Sequence, residues 1–89
     1  MKVLNKRTDN IPSDAIYVGR PTKWGNPFII GKDGNRDDVV KLYAEYIMKK
    51  PELLSVIIDE LDGHDLVCWC SPQLCHADVL IEIINLIKS

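Results

Sequence analysis

Apolar positions in this chain follow two spacings, and the switch between them outlines an α/β domain. Lys2 to Asn5 can form a short first strand, and the polar stretch from Thr8 to Asp14, with Pro12 inside it, reads as loop. Ala15 to Val18 (AIYV) is β-branched and aromatic enough for a second strand. Gly19 to Pro27 then interleaves two glycines and two prolines with Arg20, Lys23, Trp24 and Asn26. Pro21 and Pro27 constrain themselves and the residues before them, so this segment cannot be regular helix. Phe28 to Ile30 is expected to return briefly to the sheet.

Helical spacing begins after Gly34. Asn35 suits an N-cap, and Asp37 and Asp38 fall in the first turn, where the helix dipole favours negative charge. Val39, Val40, Tyr43, Tyr46 and Ile47 mark one apolar face, and Lys49 and Lys50 close the negative end. Pro51 suits the first position of a second helix with Leu54, Ile57, Ile58 and Leu61 on its buried face. Asp62-Gly63 is a turn. Asp65 to Cys70 (DLVCWC) is the strongest strand, and Ala77 to Lys88 is helical and apolar on most sides, which predicts deep packing. This order predicts one domain over residues 1–89, a small Rossmann-like sandwich with a mainly parallel sheet of 3-4 strands flanked by helices.

Composition narrows the function classes. Among 89 residues, 46% are hydrophobic and 27% charged, an ordinary globular balance. A domain this small buries only about two-thirds of its unfolded surface, so a homo-oligomer is an open route to added stability. The net charge of −2 disfavours polymer nucleic acid as a partner, although Lys2, Lys6, Arg7, Arg20 and Lys23 supply local positive charge sufficient for a small anion. The opening MKVLNKRTDN lacks a signal-peptide apolar run, and no stretch approaches the ~18 apolar residues of a membrane span. Three cysteines crowded between Cys68 and Cys75 are no disulfide framework, so a reducing, cytoplasmic compartment with no membrane partner is expected.

Two segments carry candidate chemistry. In DLVCWC, side chains alternate, so Leu66, Cys68 and Cys70 share one face and Val67 and Trp69 the other, both apolar as in a strand covered on two sides. Ser71-Pro72 breaks the strand, and Cys75-His76 heads the last helix. In open α/β sheets ligands bind beyond the carboxyl ends of strands, where helix N-termini offer N–H groups to anions. Cys70, Ser71, Cys75 and His76 fall there. The C-x5-H spacing from Cys70 to His76 is similar to that of phosphate cradles, but the arginine usual at their far end is missing. Three readings compete for these residues. They are buried hydrophobes with a hydrogen-bonded histidine, or zinc ligands, or a reactive Cys70 or Cys75 whose pKa is lowered by the helix N-terminus and His76. Zinc is disfavoured because adjacent Cys75 and His76 rarely point at one ion, and neither metal nor cofactor is expected.

In TKWGNPF, Gly25 permits positive φ and Asn26-Pro27 makes a rigid turn. A rigid loop bearing Lys23, Trp24, Asn26 and Phe28 supplies stacking faces, a cation and a donor–acceptor edge, the needs of a nucleobase with phosphate. The alternative is that Trp24 and Phe28 plug the core.

With both motifs in view, the chain resembles the family called domain of unknown function 4326, small proteins of bacteria, archaea and viruses. The likeness is carried by KWGNPF (Lys23 to Phe28) and CWC…CH (Cys68, Trp69, Cys70, Cys75, His76), and runs from about Tyr17 to the last helix. LVCWCSPQLCHADVL is also similar to domain of unknown function 488, which carries a strand-borne LLC followed by CHR; Ala77 stands here in place of that arginine.

The expected function is binding of a nucleotide-like or phosphorylated small molecule between the two segments. Trp24 would stack, Arg20 and Lys23 hold phosphate, Asn26 orient the ligand, and Ser71 and the helix start bind the anion. Any enzymatic processing would be by a Cys/His-dependent transferase or hydrolase using Cys70 or Cys75 as nucleophile and His76 as general base. Alternatives are non-catalytic sequestration of a nucleotide signal by a phage or mobile-element protein, a structural zinc or redox module, and a protein-interaction domain.

Overall fold

Three short segments pair into one parallel sheet. The computed structural model describes residues 1–7, 10–69 and 75–89. Strand β1 (Val3–Asn5) and strand β2 (Ile16–Tyr17) lie on either side of β3 (Leu66–Cys68), giving the order β1-β3-β2. Register is fixed by Val3 opposite Leu66, Asn5 opposite Cys68 and Tyr17 opposite Val67. All of β3 is buried, as its unbroken apolar run requires of a central parallel strand. The strands are shorter than the patterning suggested, and Phe28 to Ile30 does not join the sheet; Ile30 instead bridges to Gly34.

Helix α1 (Arg36–Met48) starts where the capping residues direct. The Asn35 side chain accepts from the Asp38 N–H at 2.9 Å, and the Asp38 carboxylate accepts from the Asn35 N–H at 3.0 Å. Gly34 makes the approach with φ of +138°, a conformation side chains rarely adopt, and a Cβ there would sit 2.5 Å from the Asp38 Cβ. Val39, Val40, Tyr43 and Ile47 are buried as the spacing predicts.

The helix expected from Pro51 is two: α2 (Pro51–Leu54) and α3 (Ile57–Leu61). Ser55 donates its hydroxyl to the Glu52 carbonyl, and the Val56 N–H bonds Leu53 rather than Glu52. That tightens the turn and rotates the buried face onto Leu53, Ile57 and Leu61, leaving Leu54 and Ile58 half-buried. Helix α4 (His76–Lys88) buries Ala77, Leu80, Ile83 and Ile84, whereas Leu86 and Ile87 in its last turn are exposed. It packs on β3 and on α1. Among the described residues no helix is long and apolar enough to cross a membrane.

One hydrophobic cluster unites these elements, with Val18, Tyr43, Ile47, Leu61, Leu66 and Leu80 among its members. Tyr43 holds it at a polar point. Its hydroxyl donates to the Trp24 carbonyl at 2.7 Å, and its ring meets the His76 ring edge-on at 5.1 Å. Burial, with Tyr46 and Cys75 nearby, pushes the Tyr43 hydroxyl well above its ordinary pKa, so it remains a donor. Tyr43→Phe would leave the Trp24 carbonyl without this donor, and urea unfolding should register a loss of about 1–3 kcal/mol. A loss below about 0.5 kcal/mol would mean that the bond contributes nothing net.

Candidate functional site

Because all three strands run the same way, their carboxyl ends share one edge, and a cavity of about 290 Å³ opens there. After β2 the chain contributes Gly19 and Arg20; after β3 it contributes Trp69, beside Cys68 of the strand itself. Cys75 and His76 enter from the start of α4, and Arg36, Val39 and Val40 from the start of α1. Asn26, Phe28, Ile29 and Ile30 complete the wall. The two segments singled out in the sequence thus meet on one concave surface, at the place where parallel α/β sheets hold ligands.

Several predicted residues occupy that surface. Arg20 is exposed on it. Asn26 lies in the wall, where its Nδ2 donates to the Val39 carbonyl at 3.1 Å and its Oδ1 accepts from the Phe28 N–H at 2.9 Å. Its amide therefore ties the loop to α1. Cys75 is the N-cap of α4, its sulfur accepting from the Ala77 N–H at 3.3 Å. Cys70 and Ser71 lie outside the described residues.

Two predicted residues are placed elsewhere. Trp24 is 3% exposed and belongs to the hydrophobic cluster, not to the cavity wall, so its indole cannot be the stacking face. Burying so large an apolar ring in a domain with a three-stranded sheet outweighs its display on a loop. Lys23 is outside the wall as well: it pairs with Glu60 of α3 and lies 5.5 Å from the centre of the Trp24 ring. Gly25 has no positive φ. It is needed for space, since a Cβ there would lie 3.0 Å from the Arg20 backbone.

Other residues stand at the cavity instead. Trp69 is 48% exposed at the cavity, its Nε1–H donating to the Tyr17 hydroxyl at 2.9 Å. That hydroxyl donates in turn to the Arg20 carbonyl at 3.0 Å. Lys6 and Arg7 approach the Trp69 ring at 5.3 Å and 5.2 Å from its centroid. Strand alternation had assigned Trp69 to a covered face, but pairing ends at Cys68, and alternation ends with it. Arg36 carried a readable signal. A cation at the first position of a helix opposes the helix dipole, an arrangement that an anion-binding role would justify.

His76 is buried to 8% exposure, with Nε2 2.7 Å from the Val18 carbonyl. A carbonyl only accepts, so Nε2 carries the proton and the neutral ring presents Nδ1 as an acceptor. Burial is the main force holding its pKa below the ordinary 6.5, and Arg20 adds to it. The Val18 hydrogen bond and Asp78 oppose the shift. Beside it, the Cys68 and Cys75 sulfurs are 3.0 Å apart and not joined by a disulfide. Among the described residues, no group of three His, Cys, Asp or Glu side chains could hold a metal ion.

Comparison with known proteins shows the first of the two family resemblances. The family Domain of unknown function (DUF4326) matches residues 2–86. A protein of Enterobacteria phage T4, "Uncharacterized 12.4 kDa protein in nrdA-td intergenic region", is 31% identical over 88 residues, covering 94% of this chain and 77% of its own. No solved structure matches the chain.

The His76 environment has a pH consequence. As pH falls through 6.5 the unfolded chain takes up its proton before the folded one, so stability is complete above that pH and declines below it. His76→Gln keeps an N–H for Val18 but cannot titrate. From about pH 7.5 to about pH 5.5 the melting temperature of the wild type should fall more than that of the variant. Equal falls would show that His76 is not held neutral by the fold.

Proposed function

The chain belongs to the domain of unknown function 4326 family, and we propose that it binds a nucleotide-sized phosphorylated molecule in the cavity at the carboxyl edge of its sheet. The carrying observation is the joint presence of Arg20 and Arg36 in a wall that also contains Phe28, Ile29, Ile30, Val39, Val40 and Trp69. Guanidinium groups pair with phosphate oxygens, and the apolar and aromatic wall accommodates a ring. In this proposal Trp69 and Phe28 face the base, while the positive end of the α4 dipole supports the anion site. A volume of about 290 Å³ stands at the lower limit of the ~300–1,000 Å³ usual for small-molecule pockets, which favours one nucleotide over a dinucleotide.

Binding without turnover is the version these contacts favour. Nε2 of His76 is engaged with Val18, and the Cys75 sulfur is packed against Cys68 and capping α4. A sequestering role suits a chain whose relatives include a phage protein.

Thermal-shift and calorimetric titration with nucleoside monophosphates and sugar phosphates test the proposal. A ligand at 100 times its Kd should add about 2.7 kcal/mol of stability. Arg20→Ala and Arg36→Ala should each weaken binding about 10- to 100-fold, the loss expected for a hydrogen bond to a charged group. Lys23→Ala should leave affinity unchanged. Affinity that responds to Lys23 and ignores both arginines would overturn this assignment of the site.

A further inference from the structure

Cys68 ends β3 and Cys75 caps α4, and the fold returns the chain so that their sulfurs touch at 3.0 Å. Both side chains are buried, yet both line the cavity, which gives a small reagent a path to them. The binding function proposed above makes no use of this contact.

We propose that Cys68 and Cys75 form a redox-active dithiol that is oxidised reversibly to an intramolecular disulfide by exchange with a low-molecular-weight disulfide of the glutathione type. Cys75 is the attacking group. At the N-cap its sulfur accepts the Ala77 N–H at 3.3 Å, and the helix dipole and Arg20 in the same cavity favour the thiolate. The Asp78 carboxylate, which accepts from the Cys75 N–H at 3.0 Å, opposes ionisation without reversing this order, because Cys68 has no helix start beneath it.

In the first step the Cys75 thiolate attacks one sulfur of the small disulfide. Its S–S bond breaks, a mixed disulfide forms on Cys75, and the other half leaves as a thiolate. That thiolate takes the proton of Cys68. The Cys68 sulfur then attacks Cys75, the mixed disulfide breaks, and the second half departs as a thiolate that is protonated by water. Two protein thiols are oxidised and one small disulfide is reduced to two thiols. The sulfurs need only close from 3.0 Å to roughly 2.05 Å, a displacement that side-chain rotation can supply.

The test uses the full chain carrying Cys70→Ser, so that only this pair remains. After incubation with oxidised glutathione and alkylation under denaturing conditions, intact mass should show loss of two hydrogens, no alkylation and reversal by dithiothreitol. Adding Cys68→Ala should trap one glutathione on Cys75, whereas adding Cys75→Ala should slow modification of Cys68 about tenfold. Two alkylated thiols, or two separate glutathione adducts, would overturn the proposal. If Cys70→Ser does not fold, the wild type is oxidised and cleaved by chymotrypsin at Trp69 and Leu74, which separates the three cysteines. A Cys68–Cys75 link is then expected, and a link through Cys70 would overturn it. No nucleotide or phosphate enters the assay, so its outcome is separable from that of the binding proposal.

Discussion

The central position of β3 is the constraint from which the rest of the molecule follows. Its three residues, Leu66, Val67 and Cys68, are all buried, and the strand pairs with one neighbour on each side. Because both neighbours run parallel to β3, every strand delivers its chain to the same edge. The Gly19–Ile30 loop leaves from β2 at that edge, and Trp69 follows β3 there. Helix α4 begins nearby, and α1 brings Arg36 to the same wall. An antiparallel partner would have sent one of these segments to the far side and removed part of the cavity wall.

Polar contacts then hold the loop to the helices. Tyr43 reaches from α1 to the Trp24 carbonyl, Asn26 reaches from the loop to Val39, and His76 reaches from α4 to Val18. Each joins elements distant in sequence, and among the described residues no buried side-chain nitrogen or oxygen lacks a hydrogen-bond partner. With His76 kept neutral by burial, the positive charge facing the cavity comes from Arg20 and Arg36. Charge is thereby concentrated on side chains that can pair with an anion, and away from the ring that supports the wall.

Much of this was legible in the residues. Strand and helix positions followed from the change of apolar period, and Asn35 with Asp38 marked the start of α1 through capping chemistry that depends only on local sequence. The meeting of Asn26 and Phe28 with Cys68, Trp69, Cys75 and His76 followed from the rule that parallel strands share a carboxyl edge. What was not legible depended on competition for the core. Trp24 and Trp69 are the same residue type, yet the core takes the Trp24 ring while Trp69, just past the end of strand pairing, is displayed. Lys23 was drawn away by Glu60, a partner 37 residues distant that no local pattern reveals. The break at Ser55 and Val56 hinged on a hydroxyl competing for one carbonyl, an effect too small for apolar periodicity to register.

The strand order also bears on how the chain must assemble. Val3 has no strand to pair with until Leu66 exists, 63 positions later, and Ile16 must wait for the same residue. During synthesis, helix α1 is complete while both edge strands remain single, and their ladder bonds form only when Leu66 to Cys68 have emerged. Long-range closure of this kind slows folding relative to a helical bundle of equal length. In this molecule the sheet closes only after α1, α2 and α3 have been made, and the cavity at its edge comes into being only once Trp69 and Cys75 have joined it.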